Sequence, residues 1–347
     1  MEKVYLMNYT FGEGFGIGVY ASGLFNQLLK ENINVEKIDI SKAILPRYNR
    51  GVVIKRYLYF LLRKNDLKGK NLHILTPQVL PVKYLYLPKK KIVTMYDFYI
   101  FYDWLINESL KKLNPVKRII RKHIIMQDRE TYRYIKKYDY VFTVNEVVKD
   151  KLIKEFEVDK DKVEISYGLI LDKFQPMKKE KSDDKVIIGF INNFSGNKTE
   201  KLKSFIEIFK QVKDKDLEFH IYGKNFPFSE LIKDDARIKY FGFLPEDRIV
   251  ETYNQFDVYL STSKIEGFGL PIMQAKACKV PVLCYNGDIP DISKRNTLLW
   301  NDENLVEILQ NRLWEKVNVD KAYLDAEECR PNKVIPKIIS VYNKVFE

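Results

Sequence analysis

The chain has 347 residues, 46% of them hydrophobic and 31% charged, and a formal net charge of +12. This length predicts two domains rather than one core, and the composition excludes a disordered, collagenous or disulfide-stapled chain. Cys278, Cys284 and Cys329 lack CxxC spacing, which gives neither a disulfide framework nor a zinc site and fits a reducing cytoplasm.

In chain order, short β-rich runs alternate with helical periodicity, the pattern of parallel α/β sheets. The first half predicts strands at 4–9, 35–40, 72–77, 92–97, 140–145 and 163–168, with a helix over 19–32. MEKVYLMNYT reads as the first strand and shows no leader pattern, and no apolar run approaches the ~18 residues of a spanning helix. Residues 111–137 are the most basic segment. Ile119, Ile120, Ile124 and Ile125 alternate there with Lys117, Arg118, Arg121 and Lys122. Such a helix can lie on anionic lipid or pack on a core with a solvated basic face.

The polar stretch 175–185, QPMKKEKSDDK, reads as a linker between a domain at 1–174 and one at 186–330. The second half predicts strands at 186–191, 218–223, 238–243, 258–263 and 281–286. An amphipathic helix at 333–346, within a terminal segment 331–347, closes the second domain or crosses back to the first. Two doubly wound, Rossmann-like α/β domains facing a central cleft are expected. Ligands of such sheets bind beyond the carboxyl ends of the strands.

The most informative loop follows the strand VYLSTS: KIEGFGLPIMQAKAC. Pro271 suits a first helical turn, and Gly267 and Gly269 let the backbone approach a ligand. The free amides of the helix end form an anion site. Glu266 beside them is suited to accept hydrogen bonds from sugar hydroxyls, and Gln274, further along the helix, could accept one from a ribose. Together these parts describe a nucleotide-diphosphate sugar. An ordinary strand-to-helix turn with a solvated glutamate is the plain alternative.

The stretch STSKIEGFGLPIMQAKACKVPVLCYNGDIPDI resembles the donor-binding signature of GT-B retaining glycosyltransferases of the family 4 type, "EGFGLP…EA.A.G.PV". GIGVYASGLFNQLLK, YDYVFTVNEVVKDKLIKEF, ISYGLILDKFQP and IKYFGFLPEDRIVETYNQFDVYLSTS resemble further family segments in the same order, so the resemblance covers nearly the whole chain. It implies metal-independent sugar transfer with retention, no cofactor, a nucleotide-sugar donor held mainly by the second domain, and a departing phosphate oxygen that takes the acceptor proton. It implies that Glu266 holds donor-sugar hydroxyls and that the backbone of Gly267, Phe268, Gly269 and Leu270 meets sugar and phosphate. It places the nucleobase near Phe243 and Leu244, and the glycan or lipid-linked acceptor on the first domain, with attachment to the inner face of the cell membrane through 111–137.

Three positions depart from the family pattern. Gln274 replaces the second glutamate. Asn192 or Asn193 stands near the phosphate-binding arginine, with Lys198 or Lys201 as the cation. Tyr96-Asp97 replaces a His-Asp pair, so Tyr96 can donate a hydrogen bond but cannot act as an imidazole. These departures keep open a non-catalytic, nucleotide-sugar-binding relative.

The glycine loop TFGEGFGIGVYASG carries a second alternative. Gly16-x-Gly18-x-x-Ala21 with Asp39 matches a dinucleotide fingerprint and so a nicotinamide-dependent oxidoreductase, although Phe11–Phe15 lengthen the loop. In the glycosyltransferase reading Gly16 and Gly18 reach the donor pyrophosphate instead. His73, His123 and His220 lack metal-ligand spacing, and no nucleic-acid-binding motif appears.

Overall fold

The computed structural model describes residues 2–12, 16–41, 59–60, 62–111, 113–178, 185–192, 194 and 199–347. It divides into two compact units, Met1–Leu169 with Pro331–Glu347, and Ile170–Arg330.

The first unit contains β1 (Val4–Asn8), β2 (Val35–Asp39), β3 (Asn71–Ile74), β4 (Lys90–Met95), β5 (Tyr140–Thr143) and β6 (Val163–Ile165). All pair in parallel, in the order β2-β1-β3-β4-β5-β6. Strands β3 and β5 are buried along their whole length, as parallel strands covered on both faces must be. Met7, Leu72, Ile74, Val93, Met95 and Val141 form the centre of the core. The covering helices are α1 (Gly16–Lys30), α2 (Asp103–Lys111), α3 (Pro115–Arg133) and α4 (Glu146–Lys154), joined by the last helix of the chain.

Local sequence sets the helix starts. Asn114 accepts from the Lys117 amide and Pro115 occupies the first turn of α3, while Asn145 accepts from the Val148 amide at 2.8 Å to begin α4. The isoleucines of α3 divide between two faces: Ile125 is buried, while Ile119 and Ile120 are exposed with Val116 and Met126. Lys117, Arg118, Arg121 and Lys122 are exposed around them.

The second unit contains β7 (Val186–Ile191), β8 (Leu217–Tyr222), β9 (Ile238–Gly242), β10 (Val258–Ser261), β11 (Val282–Tyr285) and β12 (Leu298–Trp300). They form a parallel sheet in the order β12-β11-β10-β7-β8-β9. Its helices are α5 (Thr199–Phe209), α6 (Ser229–Ile232), α7 (Ile249–Gln255), α8 (Leu270–Ala277), α9 (Asp291–Lys294), α10 (Leu305–Gln310) and α11 (Val319–Glu327). Phe190, Phe205, Phe209, Phe219, Leu260, Trp300 and Trp314 dominate its core.

Helix α12 (Pro331–Phe346) returns to the first unit. Val334, Ile335, Ile338, Val341, Tyr342 and Phe346 bury one helical face. The Tyr342 hydroxyl lies 2.6 Å from His73 Nδ1, and Thr94 Oγ1 lies 2.7 Å from Nε2, tying α12 to the middle of the sheet. Burial pulls His73 down to about 3, so the ring is neutral at ordinary pH.

Strand order locates the crevices. The direction of winding reverses between β1 and β3 in one sheet and between β7 and β10 in the other. Ligands of open α/β sheets bind at such switch points, beyond the carboxyl ends.

Candidate functional site

In the second unit Asn192, just past β7, and the loop after β10 meet at the switch point. A pocket there is lined by Phe190, Asn192, Ser261, Thr262, Ser263 and Glu266, with Pro271 and Ile272 from the start of α8. Glu266 accepts a 2.6 Å hydrogen bond at Oε1 from Ser263 Oγ, which orients the carboxylate. Its own amide donates to the Asp288 carbonyl at 3.1 Å, and an isolated bridge joins Ile265 to Asp288. The loop carrying Glu266 is therefore stitched to the loop after β11. Gly267 and Phe268 are buried, Leu270 is half-buried, and Gly269 enters the helix at φ +80°, a conformation suited to glycine.

Asn192 Oδ1 accepts from the Phe194 amide at 3.2 Å. Asn193 and Lys198 lie outside the described residues. Lys201 pairs with Asp302 at 2.6 Å and sits over the Tyr285 ring. Burial pulls its ammonium down, but Asp302 and Tyr285 outweigh that and leave it raised. Gln274 is buried within α8, and its Oε1 accepts from the Tyr253 hydroxyl at 3.2 Å. Phe243 is exposed after β9 with the Lys224 ammonium 4.1 Å from its ring centroid, and Leu244 beside it is half-buried.

In the first unit Tyr96 and Asp97 follow the carboxyl end of β4. The Tyr96 hydroxyl is buried without a hydrogen-bond partner among the described residues, and its ring packs edge-on against Tyr20. Burial pushes this phenol well up, with Tyr20 adding to it. Asp97 Oδ1 accepts from the Tyr99 amide at 2.9 Å. Gly16 opens α1, and among the described residues nothing lies within 4 Å of a Cβ built on it, whereas a Cβ on Gly18 would stand 2.8 Å from the Gly12 carbonyl, so Gly18 serves close packing. Asp39 accepts from Phe11 N, Ser41 N and Ser41 Oγ, so its carboxylate holds its own loops.

Among the described residues no group of three His, Cys, Asp or Glu is placed to hold a metal. No described helix is long and apolar enough to cross a membrane. Ser263 was not singled out in the sequence, although a serine three residues before the glutamate was a usable signal.

Two parallel six-stranded sheets with this site at the second switch point define the fold of the GT-B glycosyltransferases. The solved structure of WaaG, a glycosyltransferase involved in lipopolysaccharide biosynthesis, superposes with a TM-score of 0.69 at 13% identity, covering 94% of this chain and 95% of that one. Anabaena HepE in complex with UDP-glucose gives 0.65 at 12% identity, covering 99% of each chain. Residues 185–314 match the family model "Glycosyl transferases group 1", so this chain carries a group 1 glycosyltransferase domain.

Among curated relatives, the GPI3 subunit of the phosphatidylinositol N-acetylglucosaminyltransferase of Saccharomyces cerevisiae is 24% identical over 52% of this chain and 43% of its own length. O-antigen chain mannosyltransferase B of Escherichia coli is 26% identical over 30% of each chain. The match spans less than half the length of these relatives.

Proposed function

We propose that the protein transfers a hexosyl-type sugar from a nucleotide-diphosphate sugar to an acceptor, with retention of configuration and without a metal. The observation that carries this reading is Glu266, oriented by Ser263 at the mouth of α8 and at the switch point of the domain that matches the family. A carboxylate there accepts hydroxyl hydrogen bonds from the donor sugar. The backbone of Gly267–Leu270 and the amides opening α8 receive the diphosphate, and the face of Phe243 meets the base. Lys201 meets a phosphate by exchanging Asp302 for it; Lys198 is the other cation proposed. Gly16, Gly18, Tyr96 and Asp97 are the first-unit residues proposed to take part. Catalysis is positioning and stabilisation of the leaving nucleotide, and the departing phosphate oxygen takes the acceptor proton.

The acceptor is a lipid-linked or envelope glycan, and the protein is cytoplasmic and docks on the anionic inner face of a membrane. Exposed Val116, Ile119, Ile120 and Met126, bordered by cations, support this placement because α3 offers apolar insertion and charge attraction together. Flotation should show binding to anionic vesicles and less to neutral ones. Equal binding to both, or to neither, overturns the docking.

The central test is calorimetry with UDP-, GDP-, ADP- and dTDP-sugars and with NAD(H), with and without EDTA, on wild type and Glu266→Ala. One nucleotide-sugar class should bind regardless of EDTA and weaken at least tenfold in the variant. NAD(H) binding alone would support an oxidoreductase instead, and donor binding without transfer to any acceptor would support a non-catalytic relative.

A further inference from the structure

The loop that bears Glu266 is backed by a buried polar clamp. Ser293 is fully buried in α9, and its hydroxyl donates to the Phe268 carbonyl. The position a Cβ would take on Gly269 lies 3.1 Å from Ser293 Oγ, so the two segments touch. One helix behind, the Lys276 ammonium of α8 is wholly buried. It donates to the Ile292 carbonyl at 2.9 Å, to the Arg295 carbonyl at 2.7 Å and to Asp325 Oδ2 at 2.9 Å. All three of its hydrogens are thereby used, two of them on the backbone either side of Ser293. Asp325, from α11, also accepts from Arg295 Nε at 2.7 Å and from Asn296 Nδ2 at 3.0 Å. Burial pulls the lysine pKa down and Asp325 opposes it. A buried ion pair of this kind is a weak source of stability, but removing one partner leaves a buried charge uncompensated.

We infer that Ser293, held in place by Lys276 and Asp325, is a positioning residue that fixes the Phe268–Gly269 peptide so that the Gly269 N–H meets an oxygen of the nucleotide-diphosphate sugar. The physical reason is peptide planarity. In a trans peptide the N–H points opposite to the C=O, so a carbonyl held toward Ser293 turns the amide away from it. Without that bond the peptide can rotate, and the glycine, free in φ, does not resist. The lysine acts at one remove, by anchoring the short turn that carries the serine.

This inference rests on the glycosyltransferase reading. It is tested on the full chain by calorimetry with UDP-glucose, UDP-N-acetylglucosamine and GDP-mannose, and by donor kinetics. For whichever probe binds, Ser293→Ala should raise Kd and donor KM about five- to tenfold, with kcat within twofold. Lys276→Met, which leaves Asp325 its arginine and asparagine partners, should weaken the same probe about threefold. A lower melting temperature with unchanged Kd in both variants would mean that the clamp is only structural, and would overturn the inference while the function stands. If wild type binds none of the three probes, the inference falls with the functional reading. Should Ser293→Ala not fold, Lys276→Met decides alone.

Discussion

The two sheets are built alike, yet the loops at their carboxyl ends are held by different means. In the first unit, side chains tie the loops. Asn8 Nδ2 donates to the Thr10 carbonyl at 2.8 Å, Thr76 donates to Asn8, Asp39 collects Phe11 and Ser41, and Asn145 caps α4. In the second, the Ser263 and Ser293 hydrogen bonds are joined by close backbone-to-backbone packing around Glu266. A Cβ on Gly287 would stand 2.3 Å from the Lys264 carbonyl, beside the Ile265–Asp288 bridge. Loops tied by side chains lose one hydrogen bond per substitution. Loops packed through the main chain move as a body.

Four measurements would break or sharpen that contrast. The largest effect is expected in the first unit, at His73. Its folded pKa of about 3 lies below the value of an unfolded histidine, so the unfolded state binds the extra proton. Stability is full above about pH 6.5 and falls by about 1.4 kcal/mol per unit as pH drops toward 4. Scanning calorimetry should show a first-unit transition with this slope, absent in His73→Gln.

In the second unit, Gly287→Ala must push the Glu266 loop away, and kcat/KM for donor turnover should drop about thirtyfold, equivalent to about 2 kcal/mol. Retained activity would mean that the loop yields without moving the carboxylate. Asn145→Ala removes one cap and should cost the first unit about 1 kcal/mol, read as a lower melting temperature with unchanged nucleotide-sugar binding.

The smallest effect is stabilising. Lys279 sits at φ +56° just past α8, where glycine is the better residue. Lys279→Gly should raise the melting temperature of the second unit slightly, the backbone gain outweighing its exposed pair with Asp320.

The sheets were readable because buried parallel strands are continuous apolar runs. The runs at 72–77 and 163–168 end earlier in the structure, at Ile74 and Ile165, since the polar and turn residues after them form the loops. β12 escaped notice because three residues carry no period. Glu266 was legible because its glycines and proline are local. Lys276 was not, because a lysine reads as solvated and its partner Asp325 is far along the chain. Asp39 matched the spacing of a ribose ligand, but spacing does not show that the carboxylate is already engaged by Phe11 and Ser41. In α3, periodicity marked an apolar stripe without showing that Ile125 and Ile119 take opposite environments.

The return of α12 to the first unit bears on how the protein is made. That unit draws on Met1–Leu169 and on Pro331–Glu347, with the whole second unit between them in the chain. During synthesis the second unit can fold before the first has received its closing helix. His73 and the apolar surface that covers Val334, Ile338 and Tyr342 then wait uncovered on the nascent chain, a stretch of biosynthesis in which chaperone binding is expected.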